Sequence, residues 1–107
     1  MVTGYRSIYI VAKDEAEAKK LTQFLIGEKL VACVNYSPIK STYWWKGQVE
    51  EAKEVAMIAK TREELVDRVI ERVKQLHSYE VPCVVSWSIE KGNPDYLEWI
   101  KESTEQS

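Results

Sequence analysis

Histidine is almost missing from this 107-residue chain, which has one, and cysteine and proline are scarce at two and three. Any Ser/His/Asp or Cys/His catalysis would have to use that single residue, His77. No serine elbow, glycine-rich phosphate loop or dense carboxylate cluster accompanies it, so the reading is of a protein that is not an enzyme. Two cysteines, Cys33 and Cys83, are too few for a secreted disulfide scaffold and point to reduced thiols and a cytoplasmic setting. No CxxC or HxxxH spacing occurs, so a closed tetrahedral metal site inside one chain is not expected. No apolar run approaches the ~20 residues of a membrane span, and "MVTGYRSIYIVAKDE" turns acidic too soon for a signal peptide. A surplus of positive charge is lacking as well. Lys and Arg total 15 against 17 Asp and Glu, a net charge of −2, which speaks against nucleic acid as a partner.

What is present is the balance of one soluble globular domain over residues 1–107, with 45% hydrophobic and 30% charged residues. "YRSIYIVA", 5–12, is β-branched and aromatic and predicts a strand. Asp14 and Glu17 form a capping-box pattern ahead of a helix whose face carries Ala18, Leu21 and Leu25 and which ends near Glu28. "LVACVNY", 30–36, predicts a second strand. Ser37-Pro38 predicts a bulge or edge kink, and "IKSTYWW" resumes the strand to Lys46-Gly47, a tight hairpin turn. The return strand, Gln48 to Thr61, is centred on "VAMIA". Thr61 and Glu64 repeat the capping pattern before a helix striped by Leu65, Val66, Val69, Ile70, Val73 and Leu76, with His77 on the stripe's edge. "CVVSWSIE", 83–90, alternates as a strand. Asn93 and Pro94 then open a short helix with Tyr96, Leu97 and Ile100 inward. The order β-α-β-β-α-β plus a terminal helix is that of an α+β, ferredoxin-like sheet with a long hairpin and two helices on one face.

Such a sheet should turn polar residues outward at every second position on its other face. "LVACV" and "VAMIA" are instead apolar at consecutive positions, so both faces of the central strands need cover. The hairpin makes the same demand. Leu30 to Trp45 spans roughly 50 Å if extended, and its end carries Tyr43, Trp44 and Trp45, which one protomer cannot bury on both faces. These three residues are therefore expected at an interface, in a closed homo-oligomer.

"EKLVACVN", "YWWKGQVEEAKEV", Lys60-Thr61, "HSYEVP" and "DYLEWI" occur in the order and spacing of the divalent-cation tolerance (CutA) family, which the chain resembles along nearly its whole length. The resemblance implies a PII-like homotrimer of ferredoxin-like protomers and a role in tolerance of divalent metal ions, copper above all. It also implies that His77 and Cys33 match residues of the family's metal chemistry, and that an intersubunit cleft near Lys60, Tyr79 and Glu80 takes the ligand. The chain departs from the family pattern at Ser78 and Cys83, where proline and glutamate are usual. Ile10 and Leu76 stand where some members have a further cysteine and histidine.

The candidate metal ligands are thus His77, Cys33 and Cys83, with copper or another divalent cation as the ion and no cofactor required for folding. Imidazole and thiolate suit copper or zinc, and thiolate favours Cu(I). Each candidate has a structural alternative. His77 at a helix C-terminus is favoured by the macrodipole, and a cysteine in a strand behaves as a small hydrophobe. Glu50 and Glu51 offer oxygens to hard cations or are simply solvated. Lys60 either meets a small anion or a partner protein in the cleft, as in a regulatory module, or pairs with Glu80 to pin the protomer interface.

Overall fold

The alternation of β-branched strands with amphipathic helices resolves, in a computed structural model describing residues 4–106, into β1 (Tyr5–Ala12), α1 (Glu15–Gly27), β2 (Cys33–Trp45), β3 (Gln48–Arg62), α2 (Val66–Leu76), β4 (Val84–Ile89) and α3 (Pro94–Ser103). A 3₁₀ turn, Glu63–Leu65, leads into α2. The four strands form one antiparallel sheet in the order β2-β3-β1-β4. This is the expected ferredoxin-like arrangement.

α1 and α2 cover one sheet face. Between them and the sheet lie Ile8, Ile10, Ala12, Leu21, Leu25, Met57, Ala59, Val69 and Val73, all fully buried. α3 lies on the opposite face at one end. Its Tyr96 hydroxyl meets the Cys33 thiol at 3.5 Å, and Thr104, just past it, takes the Arg62 guanidinium at 2.9 Å. Cys33 and Lys60 are register partners on that second face. Elsewhere on that face the described residues leave apolar side chains open, with Val85 50% and Trp87 47% exposed on the edge strand β4.

Several local expectations change. The Asp14 carboxylate does cap α1 through the Glu17 N–H at 2.8 Å, but Glu17 reaches back to Lys13 N–H rather than to the cap residue. α1 stops because Lys29 turns left-handed at φ 57°, with Leu30 N–H bonding to Leu25 O and Lys29 N–H to Ile26 O. That turn delays β2 to Cys33, so 30–32 are not strand. Ser37-Pro38 forms no bulge. The register runs unbroken through Pro38↔Val55, since β2 is the edge strand and tolerates a missing donor there. Thr61 does not cap α2; it is the penultimate residue of β3, and its hydroxyl donates to Leu30 O at 2.6 Å. Tyr96 is 37% exposed although its hydroxyl turns in to Cys33, Leu97 is half-buried, and Ile100 is the fully buried residue of α3. Lys46 and Gly47, at φ 51° and 81°, make the tight turn as read.

Candidate functional site

β2 and β3 run past the rest of the sheet as an arm, giving the molecule extents of 45 × 26 × 21 Å. The segment 78–83, between α2 and β4, passes beside this arm. The two enclose a cleft of about 670 Å³ lined by Glu54, Tyr79, Glu80 and Cys83 together with Tyr43, Trp44 and Trp45. Glu54 belongs to β3, where strand alternation puts it on the same face as Lys60 and opposite Val55 and Met57. Its side chain is 6% exposed and accepts the Tyr79 hydroxyl at 2.6 Å. Burial, and then the bond to the Glu54 carboxylate and its charge, push the Tyr79 phenol above its ordinary range. Burial and the same carboxylate also push up the Cys83 thiol.

His77 sits behind this wall rather than in it. It is the residue at which α2 ends, with extended backbone at ψ 144°. Its Nδ1 accepts the Tyr79 N–H at 3.0 Å, so the proton of the neutral ring is on Nε2, which donates to Val11 O at 2.7 Å. Glu17 Oε1 stands 3.7 Å from Nε2. Glu17 Oε2 accepts the Ser78 N–H at 2.9 Å. Burial alone would raise the Glu17 carboxyl, but the bonds from Lys13 and Ser78 and the nearby His77 outweigh it, leaving the carboxyl below its usual range. His77 and Glu17 therefore fix the Ser78-Tyr79 backbone and aim the phenol at Glu54.

The candidate residues fall into two groups within the chain. Tyr79, Glu80, Cys83, Tyr43, Trp44 and Trp45 come together. Cys33 and Lys60 do not join them. Cys83 O accepts Val11 N–H, and Val11 pairs with Ala56, whereas Cys33 pairs with Lys60. Four residues of β3, roughly 13 Å, separate the two rows. Cys33 instead meets Tyr96, whose phenol is pushed up to about 12 by that hydrogen bond and by burial. Among the described residues, no group of three or more His, Cys, Asp or Glu could hold a metal ion within the chain. Sequence reasoning missed Glu54 and the second role of Glu17. The one signal for Glu54 was a carboxylate in phase with Ala56 and Ile58 on the second face.

The CutA1 divalent ion tolerance protein family matches residues 6–103. The chain belongs to this family. The divalent-cation tolerance protein CutA of Archaeoglobus fulgidus is 47% identical over 98 residues, which cover 92% of this chain and 96% of that protein. The structure of the periplasmic divalent cation tolerance protein CutA from Archaeoglobus fulgidus superposes with a TM-score of 0.93 at 46% identity, covering 94% of this chain and 99% of the other. The crystal structure of CutA1 from Oryza sativa gives 0.94 at 43%, covering 99% and 98%. This CutA chain therefore shares the fold over its whole hairpin and helical layer. Among its described residues, no helix is long and apolar enough to cross a membrane.

Proposed function

We propose that this CutA protein works in divalent-cation tolerance as a cytoplasmic, non-enzymatic homotrimer that holds copper or another divalent ion at the hairpin cleft. One observation carries the reading. Among the described residues, the cleft wall contains the Glu54 and Glu80 carboxylates and the Cys83 thiol, and no lysine or arginine. A thiolate suits Cu(I), and carboxylate oxygens suit harder ions. Since Glu54, Glu80 and Cys83 share the wall without forming a three-donor metal group among the described residues, the ion must draw a further ligand from a neighbouring copy, for which Cys33 is a candidate. His77 would coordinate only by surrendering its bond to Tyr79 or Val11, so its first role is to hold the wall. The second reading, an anionic metabolite or partner protein, rests on Lys60, half-buried on the second face and brought to Tyr79 and Glu80 only by another copy.

Calorimetric titration of copper into the wild type, Cys83→Ser and His77→Ala tests this. Cys83→Ser is expected to abolish most of the heat, whereas His77→Ala weakens binding through the displaced loop. Equal heats in all three would sink the metal reading. Light scattering of a monomer at low concentration would remove the shared site.

A further inference from the structure

Three helices pack on the sheet, and one of them is fastened differently from the others. α1 buries Ala18, Leu21 and Leu25, and α2 buries Val69 and Val73, whereas Ile100 is the one buried residue of α3. What fastens α3 and the residues after it is a set of directed polar contacts. Thr104 is fully buried, and its hydroxyl accepts Arg62 Nε at 2.9 Å while its carbonyl accepts a second guanidinium nitrogen at 2.7 Å. The same hydroxyl donates to Ile100 O at 2.8 Å. Arg62 is the last residue of β3, and its third nitrogen pairs with Glu64 at 2.9 Å, so the planar fork is held on every side. Further on, Gln106 Nε2 donates to Lys29 O at 2.9 Å, and its amide oxygen accepts from Arg68 of α2 at 3.4 Å.

These contacts converge on the path from α1 into β2. Lys29, at φ 57°, holds a left-handed backbone that a side chain makes costly, and Gln106 grips its carbonyl. Cys33 opens β2, and the Tyr96 hydroxyl of α3 meets its thiol. Leu30 and Val31, between the two, are buried in the core. α3 thus touches the start of β2 on the second face, while its trailing residues reach the helix layer at Lys29 and Arg68.

We propose that α3 and residues 104–106 form a latch over the entry to β2, with Arg62 as its catch. The latch undocks and redocks as one unit while the sheet, α1 and α2 stay folded. Closed, it fixes the Lys29 turn and shields the Cys33 thiol; open, it frees both. Hydrogen bonds with one buried apolar side chain behind them open at a far smaller free energy than a packed core. All of these contacts lie inside one chain, so a second copy on the open sheet face leaves them in place. Nothing in the latch depends on the metal reading.

Amide hydrogen exchange of the full chain in its own assembly, over a denaturant series below the unfolding midpoint, tests this. The amides of α3 are expected to exchange as one group, about tenfold or more faster than those of α2, which open only with the core. Thr104→Val keeps the shape but strips Arg62 Nε of its acceptor, and should speed that group about fivefold, the factor for one lost hydrogen bond. The Lys29 and Leu30 amides, bonded to Ile26 O and Leu25 O, should speed with it. So should alkylation of Cys33 by iodoacetamide, scored on its own peptide, while α2 stays unchanged. Thr104→Ser, which keeps the hydroxyl, should return all three to wild-type rates. Gln106→Ala, at an exposed position that spares the core, should give the same coupled change by a smaller factor. If α3 opens only together with α2, the segment is a fixed part of the core or is covered by a neighbour, and the latch is overturned. It is overturned too if Thr104→Val and Gln106→Ala release α3 without any change at Lys29, Leu30 and Cys33. The segment would then move without controlling the entry to β2.

Discussion

The two faces of the sheet are built from the same strands, one residue out of phase, and they meet different fates. On the helix-covered face Ile8, Ile10, Val55, Met57 and Ala59 are at most 6% exposed. On the other, Tyr9 and Ile58 remain half-buried, and Val85 and Trp87 lie open, with the Tyr9 and Trp87 rings stacked at 6.2 Å. Composition alone does not explain the difference, since the second face, although it carries Glu54 and Lys60, is apolar at Tyr9, Ile58, Val85 and Trp87. The difference is one of supply, because α1 and α2 suffice for one face while α3 reaches only the end of the other. A single chain thus completes a core and leaves a second apolar face whose natural cover is more of the same protein. The carboxylate cleft opens at the margin of that face, away from α3.

The sharpest way to break this comparison is to damage each face and ask whether the loss depends on protein concentration. Met57→Ala leaves a cavity beneath both helices and should cost about 2–5 kcal/mol of stability, measured by denaturant melts and independent of concentration. Trp87→Ala should leave the single-chain fold in place and weaken self-association by about 2 kcal/mol or more, read by sedimentation across a dilution series. A concentration-independent loss in both would mean that the second face has no partner.

Glu17 tests the joint between the two faces, where α1, α2 and the cleft wall meet. Its folded-state carboxyl is lowered, so its contribution is complete above the ordinary glutamate range and is lost as pH falls from that range through the lowered folded value. Glu17→Gln should cost about 1–2 kcal/mol at neutral pH, and the gap to wild type should close in acid. The same variant should loosen Tyr79, visible as faster exchange of its amide.

Much of this architecture was legible because it is written in local patterns. Asp14 with Glu17, the Lys46-Gly47 turn, and the Val69–Val73 stripe each decide their own structure within a few residues. The misreadings share the opposite property. Pro38 resembles a break until β2 is known to be an edge strand. Thr61 resembles a helix cap until Leu30 O, 31 residues earlier, arrives beside it. The cleft was half legible. Tyr79, Glu80, Cys83 and the hairpin aromatics stood out by type, while Glu54 did not, because its meaning comes from a phenol 25 residues away. Register, not composition, brings that pair together.

Thr61 offers the smallest and most selective test. It lies on the helix-covered side of β3, fully buried, and its hydroxyl donates to the Leu30 carbonyl that follows the α1 turn. Thr61→Val preserves shape and strand propensity but strips a buried carbonyl of its donor, a loss of about 1 kcal/mol. A capping role would instead place the damage at the start of α2, with faster amide exchange over residues 63–66. The hydrogen bond to Leu30 predicts the change at residues 30–32, where β2 is still approaching the sheet, and leaves α2 protected. Thr61→Ser, which retains the donor, should restore the exchange pattern of those residues while lacking only the methyl group.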